Sequence, residues 1–153
     1  MSTKHPNAAE AQALAEAVAD AMWARDRAAN ALGIKIESVG PGVSHLSMPV
    51  RGDMVNGHHI CHGGLIFSLA DTAFAYACNS YNRNTVASAC HIDFLAPGME
   101  NDTLDAEAVE RSQSGRTGVY DVTIRNHQGQ LIALFRGKSY SMKGKPTVPA
   151  QAA

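Results

Sequence analysis

The sequence predicts an α+β fold in a single domain: a sheet of long antiparallel strands wrapped around one nearly all-apolar helix, with an accessory helix in front. Three observations carry this. The hydrophobic period changes at Gly33 from helical to alternating. Val43–Val50 and Val119–Arg125 alternate apolar and polar side chains, the period of a strand with one buried face. The run Leu65–Ala77 has only Ser68, Asp71 and Thr72 as polar breaks, which makes its helix apolar nearly all round and therefore enclosed. The length of 153 residues suits one domain with a sizeable core.

The elements follow in chain order. Residues 8–32 read as a helix rich in Ala, Glu and Arg, with Leu14, Val18, Met22 and Ala29 at helical spacing. Asn7 and Glu10 form a capping-box pair at its start, and Gly33 supplies the stop. Ile34 and Ile36 begin a first strand, Gly40-Pro41-Gly42 turns the chain, and Val43–Val50 returns as the second arm of a hairpin. Residues 51–62 form a loop marked by Gly52-Asp53 and Asn56-Gly57, and the enclosed helix runs from Gly63 to about Ser80. Four strands complete the domain: Thr85–Ala96, Thr103–Arg111, Val119–Arg125 and Leu131–Met142. The domain spans residues 1–143, and the small, polar, Pro-containing segment 144–153 is expected to be a disordered tail.

Composition excludes several classes. A net charge of −1 with balanced signs lacks the basic footprint of a nucleic-acid-binding protein. Three cysteines, Cys61, Cys78 and Cys90, at irregular spacing do not make a disulfide framework. The first residues carry no apolar segment of signal-peptide type, and no apolar run is long enough to cross a membrane, so a cytoplasmic location is expected.

The chemistry centres on two features of the enclosed helix. Its entry, His62-Gly63-Gly64, carries no Ser, Thr, Asp or Asn to take the free N–H groups of the first turn. Such a terminus can hold a phosphate, a carboxylate or a polarised carbonyl oxygen; a tight loop that needs two glycines is the plain alternative. Asp71 lies eight residues beyond Gly63, within the apolar run. A carboxylate there is costly unless it is paired, hydrogen-bonded or used. At 1.5 Å per residue the two features are about 12 Å apart. A reacting carbonyl needs its oxyanion donor and its base or nucleophile within roughly 3 Å each. If both are used, the carboxylate comes from a second copy of the chain, and a two-fold dimer makes the exchange reciprocal.

The block Asn56-Gly57, then CHGGLIFSLADTAFAYACNS, VASACHIDFLAPG, TGVYDV and ALFRGKS resembles the hotdog-fold acyl-CoA thioesterases. The branch it resembles is the PaaI type of phenylacetic acid degradation. The resemblance implies a hotdog fold and hydrolysis of acyl-CoA thioesters, most of all phenylacetyl-CoA and ring-hydroxylated relatives, to free acid and coenzyme A. It assigns the carbonyl-polarising N–H to Gly63 and the nucleophile or general base, acting across a dimer interface, to Asp71. Asn56 would place the water or the thioester, and His62 would support the loop and the thiol leaving group. Gly64, Thr72 and Ser88 are further substrate-binding candidates. Arg136 and Lys138, in the last strand, are the best local partners for the coenzyme A phosphates. The family resemblance also implies a dimer of dimers, and no cofactor beyond the coenzyme A of the substrate itself.

Three other readings compete. His58, His59, Cys61 and His62 cluster, but their spacing fits no standard zinc pattern, and no metal is expected. A hydratase or dehydratase on the same fold needs a His paired with a carboxylate at the substrate's α and β carbons. A non-catalytic acyl-CoA-binding module would not need Asp71.

Overall fold

A computed structural model describes residues 6–144 and 146–149. The chain opens with helix α1 (Ala8–Trp23), capped by the reciprocal Asn7–Glu10 box. The single helix expected over 8–32 is two. The Asp26 carboxylate accepts the Ala29 N–H and starts a short helix, α2 (Arg27–Ala31). Asp is a poor interior residue and a strong N-cap, so it breaks the helix rather than continuing it. Gly33 follows with φ 70°, the left-handed stop expected there.

The sheet has six antiparallel strands: β1 (Lys35–Gly40), β2 (Val43–Pro49), β3 (Thr85–Phe94), β4 (Thr103–Ser114), β5 (Thr117–Asn126) and β6 (Leu131–Ser141). Their spatial order is β1-β2-β4-β5-β6-β3. Between β2 and β3 runs the enclosed helix α3 (Gly63–Asn79). Strand β4 is longer than the alternation suggested. A bulge at Arg111 lets the ladder resume and carries it to Ser114.

The sheet wraps around α3. Leu46, Met48, Leu104, Ala106, Val122, Ile124 and Phe135 face Leu69, Ala70, Ala73 and Phe74. Phe74 packs edge-on against Tyr120 with ring centroids 5.6 Å apart. Gly137 makes this possible: a Cβ there would come within 2.9 Å of the Phe74 ring. The far end of α3 is fixed by polar bonds. The Asn79 side chain donates to Thr85 O and accepts from Thr85 N, both at 3.0 Å, which fixes where β3 begins.

Strand β3 is the edge beyond β6 and is exposed along most of its ten residues. Helix α3 runs back along it, with Gly63 against the Phe94 ring and Asp71 close enough to Cys90 for its charge to act on the thiol. Part of the tail expected over 144–153 (position 145 and positions 150–153) lies outside the described residues. Within the described part, Val148 exchanges two backbone–side-chain hydrogen bonds with Asn82, at 2.9 and 3.0 Å. Among the described residues no helix is long and apolar enough to cross a membrane.

Candidate active site

The start of α3 differs from the bare terminus expected. His62 occupies the N-cap and folds its ring back, so that Nδ1 accepts the Gly64 N–H at 3.0 Å. An imidazole nitrogen here does the work of the usual short oxygen-bearing cap. With Nδ1 an acceptor, the His62 proton lies on Nε2. Gly64 leaves room for this ring, since a Cβ there would lie 3.1 Å from His62 Nδ1. The next amides of the turn are also taken: Leu65 N–H and Ile66 N–H both reach His62 O. Among the described residues only the Gly63 N–H in this turn has no acceptor.

Gly63 also lines an apolar recess of about 480 Å³, together with Asn56, Ile60, Cys61, Ile66, Phe94 and Leu95. The loop before the helix builds one wall. Asn56 Oδ1 accepts the His58 N–H at 2.9 Å, and Asn56 N–H donates to Ile60 O at 2.9 Å. This tight turn places His59 at φ 61°. Backbone bridges Val55–Cys61 and Ile60–Met99 then hold the loop against the chain after β3. Cys61 is buried and burial pushes its thiol up to about 11, far from thiolate chemistry.

Asp71 is half-buried, two turns down α3, and does not line this recess. Its carboxylate has no hydrogen-bond or ion-pair partner among the described residues, and desolvation raises its pKa above the ordinary 3.8. Thr72 beside it donates to Ser68 O at 2.7 Å. Burial, aided by the Asp71 charge, lifts Cys78 to about 12.

The remaining candidates lie on the outer face of the sheet. Arg136 grips Asp121 with two hydrogen bonds of 2.6 and 2.8 Å, and Arg111 joins the same carboxylate at 3.0 Å. Asp121 is held below the usual carboxylate range by these guanidinium groups, Arg136 first. Lys138 has no acidic partner among the described residues and borders a separate recess of about 320 Å³ with Ser88, Ser112, Ser114 and Thr117. Ser88 sits at the β3 bulge and donates to Lys138 O at 3.2 Å. One chain therefore gathers Asn56, His62 and Gly63, and leaves Asp71, Arg136 and Lys138 elsewhere. The residue that sequence reasoning missed is Phe94, whose only signal was an aromatic at a strand end just before Pro97-Gly98.

Comparison with known proteins decides the family. Residues 58–133 match the thioesterase superfamily. The acyl-coenzyme A thioesterase PaaI of Escherichia coli is 55% identical over 129 residues, covering 84% of this chain and 92% of that protein. The chain belongs to the thioesterase superfamily. Its fold is the hotdog fold, and it is a thioester hydrolase by membership. The structure of the E. coli PaaI protein from the phenylacetic acid degradation operon matches with a TM-score of 0.86 and 53% identity, over 88% of this chain and 97% of that one. A more distant thioesterase-fold relative, the smu.793 protein of Streptococcus mutans bound to acetyl-CoA, matches with a TM-score of 0.70 and 26% identity, over 74% of this chain and 90% of that one.

Proposed function

We propose that this protein hydrolyses acyl-CoA thioesters, with aryl-acetyl thioesters such as phenylacetyl-CoA and its ring-hydroxylated relatives as substrates. The observation that carries the reading is the Gly63 N–H, the one donor of this capped turn without an acceptor among the described residues, on a residue that lines an apolar recess. The thioester oxygen accepts this N–H, and the positive end of α3 stabilises the charge that develops on it. The reagent on the other side is the partner subunit's Asp71, acting as nucleophile or as base for water. As base, the partner's Asp71 takes a proton from water as the water oxygen bonds to the acyl carbon. As nucleophile, it forms a mixed anhydride that water then cleaves. In both routes the C–S bond breaks and the thiolate of coenzyme A leaves. His62, whose Nδ1 caps the same helix end, keeps its Nε2–H as the donor for that sulfur in this reading. Asn56 orients the water or the carbonyl, Thr72 steadies the helix turn that carries Asp71, and Gly64 serves the His62 cap rather than the substrate.

A two-chain site follows from β3. This edge is ten residues long and carries no Lys, Arg or Pro, and beyond the bulge at Ser88 its register is regular from Ala89 to Phe94. A second copy satisfies its unpaired backbone groups. The 12 Å between Gly63 and Asp71 along α3 equals about four strand residues, from Phe94 back to Cys90. Antiparallel pairing of two β3 edges about a two-fold near Ile92 brings Gly63 of one chain level with the partner's Asp71. Two such dimers form the tetramer. For the coenzyme A phosphates, Lys138 and Ser88 are the stronger sites, because the Arg136 guanidinium already spends two of its N–H groups on Asp121.

The test is Asp71→Asn. Turnover of phenylacetyl-CoA falls to background while coenzyme A still binds and the fold persists. Equal turnover in variant and wild type overturns the assignment and favours a binding module.

A further inference from the structure

Phe94 stands outside the core of its own chain, at the end of the β3 edge that the proposed dimer pairs. Its side chain is 53% exposed, as is that of Leu95, so neither is consumed by the core. Yet its backbone is fixed. Phe94 is paired with Ala133 across the β3–β6 ladder, and Leu95 N–H donates to Ile132 O at 2.8 Å. The far end of the ring meets Gly63: a Cβ on that glycine would lie 3.1 Å from Phe94 Cζ, and 3.4 and 3.6 Å from Cε1 and Cε2. The ring therefore stands end-on against Gly63, and Phe94 lines the recess with it. Of the other side chains there, Ile60, Ile66, Leu95, Ala96 and Pro97 are aliphatic, and Asn56 and the Cys61 thiol are the exceptions.

We propose that Phe94 is a specificity-determining residue, whose ring face is the wall against which a flat aromatic acyl group lies. The inference rests on the thioester reading of the Gly63 amide given above. A carbonyl oxygen held by that N–H puts an aryl ring joined through one methylene beside Phe94. Offset or edge-on packing at the usual centroid separation of about 4.5–7 Å then fits the neighbouring space. A straight alkyl chain gains the same burial but not the ring–ring term.

The experiment compares kcat/KM for phenylacetyl-CoA and hexanoyl-CoA in wild type, Phe94→Leu and Phe94→Tyr, each as the assembled oligomer with its thermal unfolding recorded. Phe94→Leu is expected to lower the phenylacetyl-to-hexanoyl ratio about fivefold, the size of an aromatic pair. Hexanoyl-CoA turnover stays within about twofold, and Phe94→Tyr keeps the wild-type ratio. An unchanged ratio in Phe94→Leu, or an equal loss on both substrates, overturns the proposal while leaving thioester hydrolysis intact. A wild-type protein that hydrolyses neither substrate removes the thioesterase reading and this inference with it.

Discussion

In a Gly63→Ala variant the new methyl lies 3.1 Å from Phe94 Cζ, on the residue that carries the one free amide of the α3 start among the described residues. Its effects on stability and on catalysis separate. Gly63 is not in a left-handed conformation, so alanine fits its backbone, and within a helix alanine gains about 0.5–1 kcal/mol over glycine. The close contact opposes this, but the opposing ring is half in solvent and can swing aside. Overpacking costs of about 1–3 kcal/mol belong to enclosed cores, and this site is not one. The net change in stability is expected within about 1 kcal/mol, a Tm shift of no more than about 2–4 °C at this chain length. Catalysis loses the amide's access to the developing oxyanion, a loss of about 100- to 1000-fold in kcat. The assay is thiol release from phenylacetyl-CoA beside a thermal melt of the same sample. A variant that keeps its kcat refutes the role of the Gly63 N–H. A variant that unfolds near room temperature refutes the packing argument.

Other outcomes follow from the same geometry. Because desolvation raises the Asp71 pKa, the folded state holds that proton more tightly than the unfolded chain. Its contribution to stability is present below the ordinary value of 3.8 and is lost as pH rises through the raised value. Asp71→Asn is therefore expected to raise Tm at neutral pH, by an amount that solvent at this half-exposed site keeps small, while abolishing turnover. Activity runs the other way: kcat/KM falls as pH drops through the raised Asp71 value, so its acid limb lies above that of an ordinary aspartate. Gly137→Ala drives a methyl to 2.9 Å from the enclosed Phe74 ring and is expected to cost about 1–3 kcal/mol, read as a lower Tm with unchanged kcat in the folded fraction. Lys138→Ala is expected to raise KM several-fold and weaken its dependence on salt with little change in kcat, whereas Arg136→Ala does less because Asp121 already holds that charge.

What could be read ahead of the structure divides along physical lines. Local signals were legible. The Asn7–Glu10 box, the Gly33 stop and the alternation of β2 and β5 each depend on residues within one turn or one strand, and each is present. The enclosure of α3 by a sheet was legible from an apolar circumference that no solvent-facing helix carries. The break at Asp26 was not weighed, because a run of good helix formers outvoted a single cap. The His62 cap escaped because histidine is outside the usual N-cap set, though its ring nitrogen is an acceptor of the right reach. Strand order was beyond local reasoning. Nothing near Thr85–Phe94 says that this strand pairs with β6 and leaves its other edge open. Arg136 was chosen for charge alone, and only the fold places Asp121 against it.

The central claim is that each catalytic centre draws on two chains. Gly63→Ala and Asp71→Asn, each nearly inactive alone, test it when co-expressed in equal amounts and purified as mixed oligomers. If the amide and the carboxylate come from different chains, every mixed dimer holds one intact site. Random pairing then restores about a quarter of wild-type activity. A mixture no more active than its parents would place both groups in one chain and contradict the account.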